Sequence, residues 1–299
     1  MDPALKANVR GMVIPLRTPF LEDGDVDTQM LHALVDFYLG AGVQGLFVLG
    51  SFGEGPACPP ELRKRVAELV LNQVRGRIPT IIHVGAVDYH TSVDLARHAR
   101  DLGAPAIGIV GPYYYSDRSE ADVIEHYAAV DRAVDLPILV YNNPPYQGFP
   151  MPPSLLQRLV ERVPNVFAMK LAGGSVADAS PYLKVLPDLS LFALAENLFP
   201  GLVLGLKGTI SPPLAPFPEL GLDIVRAVDA GDFDAATRAQ IRAVEYLRSG
   251  ISPIDGFRLR GFDMTYSRRR PGATRPSPEA QQRMREKAES LGLPIAQMV

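Results

Sequence analysis

Lys170 closes an apolar run, Val166-Phe167-Ala168-Met169-Lys170. A lysine at the end of a buried strand cannot easily send its ammonium to bulk water. Burial disfavours the charged form and lowers the pKa. A neutral amine attacks a ketone and forms an imine. The competing role is a rim lysine that reaches solvent or pairs with a carboxylate. Tyr141 ends the preceding run, Pro137-Ile138-Leu139-Val140-Tyr141. Its phenol can pass protons to and from the carbons of an imine, or simply anchor a loop. Ser51 and Phe52 sit between glycines in Gly50-Ser51-Phe52-Gly53-Glu54. Such a turn either exposes backbone N–H groups that hold a carboxylate or is an ordinary tight turn.

Other chemistries find less support. The glycines at 50, 53 and 55 do not fit the dinucleotide fingerprint, and no Walker A sequence occurs. The five histidines, His32, His83, His90, His98 and His126, form no HExxH or similar ligand pair. His83 is expected in the core or behind the site. Neither a metal nor an organic cofactor is expected. The single cysteine, Cys58, permits no intramolecular disulfide, which fits a reducing compartment and a cytoplasmic location. A formal net charge of -3 gives no electrostatic footprint for nucleic acid. Arg268, Arg269 and Arg270, followed by Pro271 and Gly272, read as a solvated loop. No uninterrupted apolar run reaches the roughly 18 residues of a membrane span, and Met1 to Arg10 carries no signal-like stretch.

Eight short apolar runs recur along the chain: 11–16, 45–50, 80–85, 106–110, 137–141, 166–170, 189–194 and 205–210. Runs that are continuous rather than alternating suit strands covered on both faces. Amphipathic stretches separate them. In residues 61–74, Leu62, Val66, Leu69, Val70 and Gln73 form one stripe, with Arg63, Lys64, Arg65 and Glu68 largely elsewhere. Residues 92–102, 120–134 and 153–163 read the same way. Strand–helix alternation implies parallel strands and right-handed crossovers. The expected fold is therefore α/β, a (β/α)₈ TIM barrel over residues 1–230. A C-terminal helical domain, 231–299, follows, with helices at 235–247 and 279–291. In such a barrel the reacting groups gather at the C-terminal ends of the strands. There lie Ser51 and Phe52, Tyr113-Tyr114-Tyr115, Tyr141-Asn142-Asn143-Pro144 and Lys170.

Thr18-Pro19-Phe20, Gly50-Ser51-Phe52-Gly53-Glu54, Pro112-Tyr113-Tyr114, Tyr141-Asn142-Asn143-Pro144, Lys170 and Gly208-Thr209-Ile210-Ser211 follow one another in order. Together they resemble the dihydrodipicolinate synthase/N-acetylneuraminate lyase superfamily over nearly the whole chain. The resemblance implies a class I lyase in which Lys170 forms the imine with pyruvate or another 2-oxo acid. Tyr141 would shuttle protons, and Ser51 would link it to Tyr114, often supplied by a neighbouring subunit. The N–H groups of Ser51 and Phe52 would hold the carboxylate, and Ile210 would line the site. Members are commonly homodimers or homotetramers.

The chain also departs from the family pattern. Phe52 stands where a second hydroxyl residue is usual. Tyr146 stands where the lysine-synthesis enzymes place an arginine for the carboxylate of aspartate semialdehyde. Both changes resemble the hydratase-aldolases of aromatic substrates. The expected partners are a 2-oxo acid and a neutral, even aromatic, aldehyde, with Asn143 and Gln147 offering hydrogen bonds. The alternatives are a sugar-acid dehydratase using the same imine and 4-hydroxy-tetrahydrodipicolinate synthase. Arg17 is a further basic candidate for the pocket.

Overall fold

The computed structural model describes residues 5, 8–115, 117–273 and 275–296. Eight parallel strands close in sequence order, β8 returning to β1. They are β1 (Gly11–Pro15), β2 (Gly45–Val48), β3 (Thr80–His83), β4 (Ala106–Val110), β5 (Ile138–Asn142), β6 (Val166–Leu171), β7 (Ser190–Ala193) and β8 (Gly208–Thr209). The apolar runs become strands because both of their faces are covered. One set of side chains, including Val13, Phe47, Ile81, Leu139, Phe192 and Ile210, fills the barrel. The alternate set, including Ile14, Leu46, Ile82, Ile107, Val140 and Leu191, packs under the outer helices. This is the inward–outward alternation of a closed sheet.

The eighth strand is shorter than the 205–210 run. Gly205, at φ 107°, ends the helix Leu198–Leu204, so the chain is still turning there. Only Gly208 and Thr209 pair, with Phe192 and Ala193 on one side and Gly11 and Met12 on the other. A Cβ on Gly208 would stand 2.0 Å from the Gly11 carbonyl oxygen, so the closing seam admits glycine alone.

The helix Pro60–Val74 carries the expected stripe, with one correction. Arg63, assigned to its solvent side, is only 3% exposed. Its guanidinium donates to the His83 carbonyl at 2.8 Å and the Gly85 carbonyl at 3.0 Å. These carbonyls lie at the end of β3 with no further strand to pair them. A long stem and a five-donor fork let Arg63 satisfy two of them from inside.

After β8, the helix Pro218–Asp229 packs on β1 and the helix Phe233–Leu247 packs on it in turn. The helices Pro253–Leu259 and Pro278–Ser290 follow. Pro253 begins a helix capped by Ser252, whose hydroxyl accepts from the Asp255 N–H. No helix among the described residues is long and apolar enough to cross a membrane.

Candidate active site

Lys170 owes its direction to a register shift. Ile138 pairs with Val166, but Leu139 pairs with Ala168, so Phe167 is skipped. Phe167 and Ala168 consequently both face the barrel interior, while Met169 and Leu171 face outward. Lys170 then points inward. A bulge re-aims every side chain beyond it, and without this one Lys170 would face the helices.

Beyond the shift, Tyr141 pairs with Lys170. Both are buried, each 4% exposed. The Lys170 Nζ lies 4.0 Å from the centre of the Tyr141 ring and 5.3 Å from that of Phe47. Burial pushes the amine below the ordinary lysine value, against an opposing pull from Tyr141. For the phenol, burial acts upward. The charge of Lys170 and hydrogen bonding with Ser51, Asn143 and Lys170 outweigh it, and the Tyr141 pKa is lowered. Amine and phenol therefore each give up a proton more readily than they would free in water. Asn143 Nδ2 donates to the phenol oxygen at 2.8 Å. Asn143 is held in turn by its own N–H, which donates to Gln147 Oε1 at 3.1 Å.

His83 stands on the third strand as expected for a core residue. Its Nε2 accepts the Val110 N–H at 3.2 Å. Burial, then Arg63, then Lys170 hold it well below the ordinary histidine value, so the ring is neutral. Phe47 fills the space between these groups, its ring 5.8 Å from that of Tyr141. Cβ atoms at Gly50 or Gly108 would each lie 2.5 Å from this ring.

The turn after β2 is forced by close approach. A Cβ at Gly53 would lie 2.7 Å from the Leu16 carbonyl oxygen, and one at Gly55 only 1.8 Å from that of Leu49. The N–H groups of Ser51 and Phe52 donate to no protein acceptor among the described residues. The Phe52 side chain is another matter. Its ring stacks on Phe257, centroids 6.3 Å apart, with the Arg17 guanidinium 5.7 Å above it. It packs toward the C-terminal helices rather than with the cavity beside Ser51. There it lines a second cavity, of about 440 Å³, which shares Glu54 and Arg269 with the one beside Ser51.

Arg17 is likewise committed elsewhere. It pairs with Glu54 at 2.6 Å and donates to the Phe52 carbonyl at 2.8 Å. Glu54 was not singled out from the sequence, yet it also accepts from the Ser267 hydroxyl and from the Arg268 and Arg269 N–H groups. The three arginines are exposed, as expected of a solvated loop, but the backbone of Arg268 and Arg269 is anchored by Glu54. Arg268 donates to the carbonyls of Gly24 and Ala57, and Arg269 lines a cavity.

That cavity, of about 280 Å³, opens beside Ser51 and Val110. Val110 is the register partner of Tyr141. Glu54, Tyr113, Tyr146 and Arg269 form the rest of its polar wall. Tyr113, not Tyr114, enters it from the loop after β4. Tyr114 is 80% exposed, with φ at 80°, and its ring rests on Tyr115. Ile210 is buried among Tyr141, Phe47 and Phe192. A larger cavity, about 520 Å³, lies among the C-terminal helices and contains none of these residues.

Residues 8–253 match the dihydrodipicolinate synthetase family. The chain belongs to this family. It is 35% identical over 231 residues to a 4-hydroxy-tetrahydrodipicolinate synthase of Parabacteroides distasonis, covering 77% of each chain. It is 32% identical over 232 residues to a putative 2-dehydro-3-deoxy-D-gluconate aldolase, YagE, of Escherichia coli, covering 74% of this chain and 75% of that one. The crystal structure of YagE in complex with pyruvate superposes with a TM-score of 0.86 at 26% identity, covering 95% of this chain and 99% of that one. The dihydrodipicolinate synthase of Aquifex aeolicus gives 0.87 at 27% identity, covering 96% and 100%. The protein is a Schiff-base-forming lyase of the class I aldolase type.

Proposed function

We propose that the chain is an aldolase joining pyruvate, or a closely related 2-oxo acid, to an aldehyde, with Lys170 as the amine. The observation that carries this reading is the buried Lys170 amine beside the Tyr141 phenol, its pKa lowered by burial. The neutral amine adds to the C2 carbonyl of the 2-oxo acid, water leaves with both amine protons, and the Tyr141 phenol protonates the imine nitrogen to give the iminium. Tyr141, as phenolate, takes a proton from C3, and the electron pair moves into the enamine. The enamine carbon attacks the aldehyde, whose oxygen takes the proton back from Tyr141. Addition of water then releases the product and the free amine, and the proton set free returns to Tyr141. The reverse sequence cleaves it.

The N–H groups of Ser51 and Phe52 are the donors for the 2-oxo carboxylate, and Ile210 closes the apolar side. Ser51 and Asn143 tune the phenol and hold it in place. Tyr114 stands outward at a backbone angle that costs on the order of 1–3 kcal/mol. In a homodimer or homotetramer it would complete the Ser51–Tyr141 relay of a neighbouring subunit. The cytoplasm is the proposed location. The aldehyde is read at the cavity bounded by Tyr113, Tyr146 and Arg269.

Incubation with pyruvate and borohydride tests the reading. One peptide, containing Lys170, should gain the mass of a reduced pyruvyl group, and K170A should gain none. Labelling at another lysine, or turnover by K170A at the wild-type rate, removes the proposal.

A further inference from the structure

Arg269 has no place in the imine chemistry, and nothing else in the fold uses its side chain. The charges around it are already matched. Glu54 Oε1 receives Arg17 at 2.6 Å and the Ser267 hydroxyl at 2.7 Å. Glu54 Oε2 receives the N–H groups of Arg268 at 2.8 Å and Arg269 at 3.3 Å. Arg268 spends its own guanidinium on backbone carbonyls. The Arg269 guanidinium makes no ion pair or hydrogen bond among the described residues, although its backbone N–H is held twice, by Glu54 and by the Ser267 hydroxyl. A side chain left free on an anchored backbone lines the cavity that Ser51 and Tyr146 also line.

We infer that Arg269 reads an anionic group, a carboxylate, at the far end of the second substrate, and that Glu54 is its positioning residue. Three features favour an anion. Arg269 is the single cation on the cavity wall among the described residues, and the single anion there, Glu54, is saturated. Val110, Pro56 and Ala57 make much of the remaining wall apolar, and the exposed Arg269 side chain is open to an incoming substrate. A guanidinium presents a planar fork that matches a carboxylate with two parallel hydrogen bonds. The turn carrying it is fixed by a buried carboxylate, so the backbone beneath the fork does not have to be ordered when the substrate arrives. The aldehyde is then an aldehyde acid, and its condensation product with pyruvate is a 2-oxo dicarboxylate. This inference rests on the Schiff-base reading above, and it replaces the neutral aldehyde expected from Phe52 and Tyr146.

The test compares 2-oxo acids that trap on Lys170 but differ at the far end. 2-Oxoglutarate, 2-oxoadipate and 2-oxopimelate stand in for the product, with 2-oxohexanoate as the neutral-ended match for 2-oxoadipate. The half-saturating concentration for borohydride trapping is measured for each. Wild-type protein should trap at least one dicarboxylate at about ten- to hundred-fold lower concentration than 2-oxohexanoate, the value of one charged hydrogen-bonded pair. R269Q should abolish that ratio, and R269K should keep part of it, because lysine retains the charge without the fork. E54Q should reduce the ratio as well, a readout that a purely structural role would leave unchanged. If pyruvate traps at Lys170 but wild type does not discriminate, or R269Q keeps the discrimination, the assignment of Arg269 is wrong and the imine reading survives. If no 2-oxo acid traps at Lys170, both fall.

Discussion

Tyr141→Phe separates imine formation from the proton transfers that follow it. The substitution removes one oxygen and leaves the ring, which packs at 5.8 Å from Phe47. A positioned acid–base group contributes about 10²- to 10⁴-fold, equivalent to about 3–5 kcal/mol of barrier. kcat should fall by that factor. The amine should suffer less, because the phenol is what holds the Lys170 pKa up against burial. Without the phenol the amine is more readily neutral, and pyruvate should still be trapped by borohydride. The fold pays a separate cost. Asn143 Nδ2 loses the acceptor it meets at 2.8 Å in a buried position. An orphaned donor there costs about 1–3 kcal/mol. The assays are steady-state kcat, single-turnover trapping and urea unfolding on the same preparation. A wild-type kcat in a folded Y141F protein would refute the reasoning and leave Tyr141 as an anchor. Loss of both turnover and trapping, with stability intact, would place the phenol in imine formation itself.

Two further outcomes follow from buried groups away from the reaction. Arg63→Ala leaves the carbonyls of His83 and Gly85 without their donor; stability should fall by about 2–5 kcal/mol in urea unfolding, and loss below about 1 kcal/mol would mean water replaces the guanidinium. His126 is lowered to about 4 by burial, then by Arg118, against Asp88. The unfolded chain binds a proton there near the ordinary value of about 6.5 while the folded chain does not. Stability contributed by this group is therefore full above about pH 6.5 and is lost as pH falls, by about 3 kcal/mol at about pH 4. H126Q should flatten that part of the profile, and an unchanged slope would show that other groups dominate.

The strands were legible because each is a continuous apolar run covered on both faces, and its signal lies within a few residues. The same locality made Lys170 and Tyr141 visible, since residue type and strand-end position together define their chemistry. The eighth strand was overextended because Gly205 ends a helix, and an apolar composition does not distinguish a helix end from a strand start. Arg63 was misplaced because helical periodicity marks a charged residue as exposed, whereas β3 presents unpaired carbonyls to it. Phe52 was read by its neighbours in the chain, but Phe257 and Arg17 decide where its ring packs. Tyr113 and Tyr114 are adjacent, and the positive φ at Tyr114 turns the second outward.

What the sequence by itself determined was the barrel and the lysine–tyrosine pair within it. Those follow from patterns of a few residues repeated in order. The tertiary structure decided two further things. One is that Lys170 faces inward, which depends on a register shift between β5 and β6. The other is which distant segment completes the cavity. Glu54 draws Ser267, Arg268 and Arg269 to the turn after β2. Three arginines before a Pro-Gly pair look solvated in one dimension. A saturated carboxylate more than two hundred residues earlier holds the backbone of the first two at the mouth of the barrel, and no periodicity records a contact of that range.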